Sequence, residues 1–173
     1  MQVKYKQNNS RMCVICGMDN PFGLQAPFYV MEDDSVMTLF RYRQEHQSYP
    51  GRVHGGLITA MLDELGFRAY WAFEPEVLAV TMELQTKYRR PVPYDEPLKG
   101  MGTILSASSR FVKSHAQITD MDGHVLAEAE MKYIKLPSDK VTDGLSRGNV
   151  LRPARRRQSA VGAAFPLFIS KDL

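Results

Sequence analysis

The sequence holds two cysteines, Cys13 and Cys16, no internal repeat and no run of 18 apolar residues. So few cysteines exclude a disulfide scaffold, and the short apolar runs exclude a membrane-spanning helix. Residues 1–11 are polar and lack the apolar stretch of a secretory signal, so the chain reads as a soluble, cytoplasmic protein with no membrane partner. There is no second C-x-x-C and no histidine pair at metal-ligand spacing. Two thiols alone cannot complete a tetrahedral zinc site, and a redox C-x-x-C belongs at a helix start after a strand, whereas Cys13 and Cys16 sit in a turn. The expectation is no metal, with zinc shared between two chains as the alternative. A basic face is also missing from the main body. Seven Lys/Arg against three Asp from Pro137 onward carry +4 of the overall +3, which leaves −1 on residues 1–136. Nucleic acid is therefore not an expected partner, and Arg155-Arg156-Arg157 reads as a solvated run.

What is present describes one globular domain. The chain has 173 residues, 44% hydrophobic and 24% charged, a composition that builds a proper core. Residues 1–12 have no period and read as an N-terminal arm, 13–136 as the domain, and 137–173 as a basic C-terminal extension. Asn20-Pro21 and Gly23 punctuate a turn-rich stretch. Phe28–Met31 and Val36–Tyr42 are β-prone runs around an acidic turn, a hairpin signal. From Val53 to Phe73 there is no proline and apolar residues fall on nearly every side, the pattern of a buried helix. Strands are predicted at Val77–Tyr88, Leu98–Ser106, Phe111–Thr119 and Val125–Leu136, with a turn at Asp120–Gly123. The order implies an α+β fold, an antiparallel sheet wrapped on one long helix.

The chemistry concentrates where that helix begins. His54-Gly55-Gly56 opens it, and Asp63 lies two turns along. A helix N-terminus presents unpaired N–H groups and partial positive charge, and two glycines allow a ligand to approach the backbone. Such donors suit the oxyanion that forms when a carbonyl is attacked; the plainer alternative is a tight turn. Asp63 on an apolar helix is costly unless paired or facing a cleft, which makes it a site candidate. Glu64 points about 100° away from Asp63 and reads as structural.

These residues resemble the hotdog-fold acyl-CoA thioesterases of the phenylacetate-pathway (PaaI-like) type. The resemblance rests on His54-Gly55-Gly56, six residues and Asp63, then Val80-Thr81-Met82-Glu83-Leu84 through Tyr88-Arg89-Arg90-Pro91. Cys16-Gly17, Asn20-Pro21-Phe22-Gly23-Leu24 and Asp122-Gly123 extend it over about residues 13–136. It implies the hotdog fold, the Gly55 N–H as main oxyanion donor, Asp63 as nucleophile or general base, and Thr81 as the hydroxyl that holds Asp63 or the hydrolytic water. His54 is expected to support the glycine turn. Relatives carry Asn six residues before this His; here Ser48 stands there, with Gln47 and His46 as substitutes for that polar partner. The Cys-rich turn of many relatives favours a structural role for Cys13 and Cys16. Arg89 and Arg90, at a strand end, suit the phosphates of coenzyme A, or are simply solvated charges.

Spacing adds an expectation about assembly. Gly55 and Asp63 are eight residues apart, roughly 12 Å along a helix, too far to flank one carbonyl. Two helices antiparallel across a two-fold axis bring them together, as the resemblance also implies. The expected assembly is a homodimer, with a dimer of dimers beyond it. The leading function is acyl-CoA hydrolysis without a cofactor, CoA being part of the substrate. A non-catalytic acyl-CoA-binding hotdog module is the alternative, and a hotdog hydratase or dehydratase ranks last.

Overall fold

The computed structural model describes residues 2–75 and 77–136; the basic extension expected at 137–173 lies outside them. The predicted hairpin forms from Tyr29–Met31 and Val36–Phe40, joined by the acidic turn in which Asp34 takes a positive φ of 61°. The buried helix runs from Gly55 to Phe73. Four long strands follow at Leu78–Tyr88, Leu98–Ala107, Phe111–Thr119 and Val125–Leu136. Gly123, at φ 90°, makes the last hairpin turn.

Two features escaped the sequence reading. Val3–Lys6, within the stretch read from sequence as an N-terminal arm without a period, is a strand that pairs antiparallel with Tyr29–Met31. Gln7 beyond it is buried, and its side-chain amide donates to the Arg68 carbonyl at 3.0 Å, so the arm belongs to the domain. A small two-stranded sheet, Gln47–Tyr49 with Arg52–Val53, also precedes the helix. In chain order the strands are therefore β1 (Val3–Lys6), β2 (Tyr29–Met31), β3 (Val36–Phe40), β4 (Gln47–Tyr49), β5 (Arg52–Val53), β6 (Leu78–Tyr88), β7 (Leu98–Ala107), β8 (Phe111–Thr119) and β9 (Val125–Leu136), with helix α1 (Gly55–Phe73) between β5 and β6.

Seven strands form one antiparallel sheet in the order β1-β2-β3-β7-β8-β9-β6, and α1 lies across β7, β8 and β9. The core sits between them, with Met61, Leu62 and Leu65 of the helix fully buried. The approach is close because two facing positions lack side chains. A Cβ on Gly102 of β7 would stand 2.3 Å from the Leu65 carbonyl oxygen, and one on Gly66 would stand 2.1 Å from Met131 Cε. No helix among the described residues is long and apolar enough to cross a membrane. The result is the α+β hotdog architecture, one helix wrapped by a long antiparallel sheet.

Candidate active site

The helix starts where the sequence placed it, and its cap decides which donor is free. His54 is the N-cap, at φ −63° and ψ 130°. Its Nδ1 accepts from the Gly56 N–H at 3.0 Å, and its carbonyl accepts from Leu57 and Ile58 at 3.0 and 3.2 Å. An accepting Nδ1 fixes the neutral tautomer protonated on Nε2. Of the four N–H groups that a helix start leaves without an intrahelical partner, three are occupied, since the His54 N–H also donates to the His46 carbonyl at 2.9 Å. Gly56, expected as part of the oxyanion apparatus, offers no free donor. The Gly55 N–H has no partner among the described residues and sits at the positive end of α1.

A hydroxyl chain fixes this first turn. Tyr88 Oη, at the end of β6, donates to the Gly55 carbonyl at 2.9 Å. It accepts in turn from Thr59 Oγ1 at 2.7 Å, which lies 3.2 Å from Thr86 Oγ1. Sequence reasoning missed Tyr88, Thr59 and Thr86 as a set, because the register of α1 on β6 brings them together.

Asp63 faces the same strand two turns along. Thr81 Oγ1 donates to its two carboxylate oxygens at 2.9 and 3.1 Å, and Tyr133 Oη of β9 reaches Oδ1 at 3.2 Å and the Asp63 carbonyl at 2.9 Å. Thr81 and Tyr133 are direct cross-strand partners, and a bulge follows between Thr81 and Glu83. That bulge matters. Strict alternation would send Thr81 to the face opposite Leu84, Thr86 and Tyr88; one extra residue returns it to the helix side. Burial raises the Asp63 pKa above the usual carboxylate range, and the Thr81 and Tyr133 hydrogen bonds oppose that rise. Tyr133 is raised as well, first by burial and then by the Asp63 charge, so it stays a neutral donor. The outcome is a partly desolvated carboxylate, held in place by two hydroxyls, with Oδ2 the less occupied oxygen.

Beside the helix start lies an open cleft of about 360 Å³, lined by Arg52, Gly55, Ile58, Tyr88, Arg89 and Arg90 among others. The Arg89 side chain is engaged with Glu128, Nε donating to Oε1 at 3.0 Å. No side-chain hydrogen bond of Arg90 or Arg52 occurs among the described residues. Ser48 lies exposed at an irregular step of β4 and does not line the cleft. His46 is not a substrate partner: it is buried, Nδ1 accepts from the Arg43 N–H at 2.9 Å, and Nε2 faces the Phe22 carbonyl at 3.0 Å. Glu64 points the other way from Asp63, into a bond of 2.8 Å from Arg68 Nε. One chain therefore brings together Gly55, His54, Tyr88 and the arginines at one end, and Asp63, Thr81 and Tyr133 at the other.

A family model described as the thioesterase superfamily matches residues 50–127, from the loop before the helix into the last strand. Over those 78 of its 173 residues the chain is similar to the thioesterase superfamily. A solved thioesterase superfamily protein is 28% identical, with TM-score 0.66, covering 71% of this chain and 63% of its own; this chain thus spans under two thirds of that relative. A thioesterase from Haemophilus influenzae (14% identical, TM-score 0.60, 66% and 80% covered) and a phenylacetic acid degradation-related protein from Ralstonia eutropha (19%, 0.58, 64% and 85%) share the fold. Among curated proteins no match was found.

Proposed function

We propose that this protein is a cytoplasmic acyl-CoA thioesterase of the thioesterase superfamily, with a site shared between two chains. The observation that carries the reading is the division of labour along α1: a Gly55 N–H with no partner among the described residues, beside an arginine-lined cleft, and a partly desolvated, hydroxyl-held carboxylate at Asp63. The thioester carbonyl oxygen points at the Gly55 N–H, which stabilises the charge that develops on attack. Asp63 attacks the carbonyl carbon or takes a proton from the attacking water. The C–S bond then breaks and CoA leaves as a thiolate, with a thiol pKa of about 8.5 so that no strong general acid is needed; where Asp63 is the nucleophile, water then cleaves the acyl–Asp63 anhydride and frees the acid. Arg52 and Arg90 suit the phosphates of CoA, and no metal or cofactor takes part in this step.

The shared site follows from distance, since roughly 12 Å of helix separates Gly55 from Asp63 while both must lie about 3 Å from one carbonyl. The edge strand β6 supports it. Among the described residues its outer side has no neighbour, it is 11 residues long, and it exposes Val80, Met82 and Tyr88. A long apolar free edge is a template for pairing. Two copies joined there about a two-fold axis set their helices antiparallel, with Gly55 of one chain facing Asp63 of the other.

The test is release of free CoA from short, medium, long and aryl acyl-CoAs by wild type and Asp63→Ala. Hydrolysis of one class, reduced at least ~100-fold in the variant, or about 2.7 kcal/mol of transition-state stabilisation, supports the reading and names the acyl group. Binding without release from any of them makes the protein a non-catalytic acyl-CoA module.

A further inference from the structure

The C-x-x-C turn is not used by the site above, and the fold gives it a partner that the sequence could not reveal. We propose that Cys13, Cys16 and Glu64 form a binding site for one thiophilic divalent cation, zinc by preference, that ties the N-terminal loop to the back of α1. The inference stands apart from the thioesterase reading, because Glu64 and Asp63 leave the helix in different directions.

The loop is shaped around one sulfur. The N–H groups of Ile15 and Cys16 both point at Cys13 Sγ, at 3.3 and 3.5 Å, and the Gly17 N–H closes the turn on the Cys13 carbonyl at 2.9 Å. A neutral thiol is a weak acceptor; two converging donors suit a thiolate, the form that binds metal. Glu64, 51 residues further on, places Oε2 3.8 Å from Cys13 Sγ. The three candidate ligand atoms all lie within 4.8 Å of one another. Tetrahedral zinc with ordinary bond lengths sets a thiolate and a carboxylate oxygen about 3.6 Å apart and two thiolates about 3.8 Å apart. Small side-chain rotations therefore suffice to close on one ion.

The surroundings fit a cation. Arg68 Nε holds the other Glu64 oxygen at 2.8 Å, the kind of outer partner that orients a ligating carboxylate. Arg68 is fully buried, stacked 4.7 Å from the Phe28 ring and 5.4 Å from the Trp71 ring, with Nη1 donating to the Asn8 carbonyl at 2.7 Å. Two thiolates and Glu64 bring three negative charges, which a divalent ion and Arg68 cancel. Two soft ligands and one carboxylate favour zinc over magnesium or calcium. Cys13 is partly exposed, so an ion has access, and the fourth position is left to water.

Titration of the reduced full-length chain with Co2+ tests the proposal. One Co2+ per chain should bind with a thiolate-to-cobalt charge-transfer band and the visible bands of tetrahedral cobalt, displaced by Zn2+. Cys13→Ser and Cys16→Ser should each weaken the charge-transfer band and lower affinity at least tenfold. The near-isosteric Glu64→Gln should keep that band but also lose at least tenfold in affinity, with circular dichroism checking that each variant is folded. Zn2+ should raise the melting temperature of wild type and not of the cysteine variants. Absence of the band in reduced wild type overturns the proposal. So does binding that is indifferent to Glu64→Gln in a folded variant, or a protein whose mass shows a Cys13–Cys16 disulfide that re-forms whenever reductant is withdrawn.

Discussion

Replacing Gly55 with proline removes one hydrogen-bond donor and little else. Gly55 is the first residue of α1, where proline is well tolerated because its missing N–H would be unpaired in any case. His54 already has the extended conformation, φ −63° and ψ 130°, that a residue before proline prefers. The N-cap bonds from His54 to Gly56, Leu57 and Ile58 do not involve the Gly55 N–H. A Cβ here meets only Tyr88, at 3.2 Å from Oη and 3.4 Å from Cζ. Losing one oxyanion donor typically costs ~2.7–4 kcal/mol, a factor of about 10² to 10³ in kcat. Gly55→Pro should show that loss in acyl-CoA hydrolysis with an essentially unchanged melting temperature. Gly55→Ala, which adds the same Cβ and keeps the N–H, should stay within about tenfold of wild type. If the alanine variant falls as far as the proline variant, the defect is steric and the donor assignment fails. If neither falls, the oxyanion lies elsewhere.

Thr81→Val keeps the shape and removes the hydroxyl from Asp63. A hydrogen bond to a charged group is worth ~1.5–3 kcal/mol, and the exposure of Thr81 places it at the lower end, so kcat/KM at low pH should fall about tenfold, with the acidic limb of the pH–rate profile moving to higher pH. An unmoved limb would show that Thr81 does not support the carboxylate. Asp63→Asn should abolish turnover yet unfold at a higher temperature than wild type at neutral and alkaline pH. The sign follows from the raised pKa: stability is complete below the ordinary carboxylate range and is lost as pH rises through the folded-state pKa. Thermal melts from pH 4 to 8 that show wild type gaining on the variant would contradict this. Arg90→Ala should raise KM for acyl-CoA about tenfold through a lost phosphate contact and leave thioesters of a short thiol untouched. Arg89→Ala should do less, since Arg89 is already engaged by Glu128; equal effects on both substrates would remove the nucleotide role.

The long elements were legible because their patterns are strong: an apolar, proline-free run for α1 and four β-rich runs between turn signals. β1 was not, since four residues with mostly exposed side chains at a sheet edge carry almost no hydrophobic signal. At the site, His54, Gly55 and Asp63 stood out as types at a spacing, and Thr81 through the family resemblance. Tyr133 did not, because it meets Asp63 only through the pairing of β6 with β9. Thr81 itself reaches the helix only by way of a bulge that simple alternation does not foresee. His46 looked available in sequence and is consumed by the fold, and Glu64 looked merely structural until the N-terminal loop was seen to pack behind it.

The most direct test of a site divided between two chains is complementation. Asp63→Ala and Gly55→Pro, each inactive alone, are co-expressed with different tags, and the mixed dimer is isolated by sequential affinity steps. With two-fold symmetry, one of its two sites carries both changes and the other carries neither. The account predicts that the mixed dimer recovers about half the wild-type rate per dimer. A mixed dimer as inactive as its parents would place Gly55 and Asp63 in the same site of a single chain and contradict it.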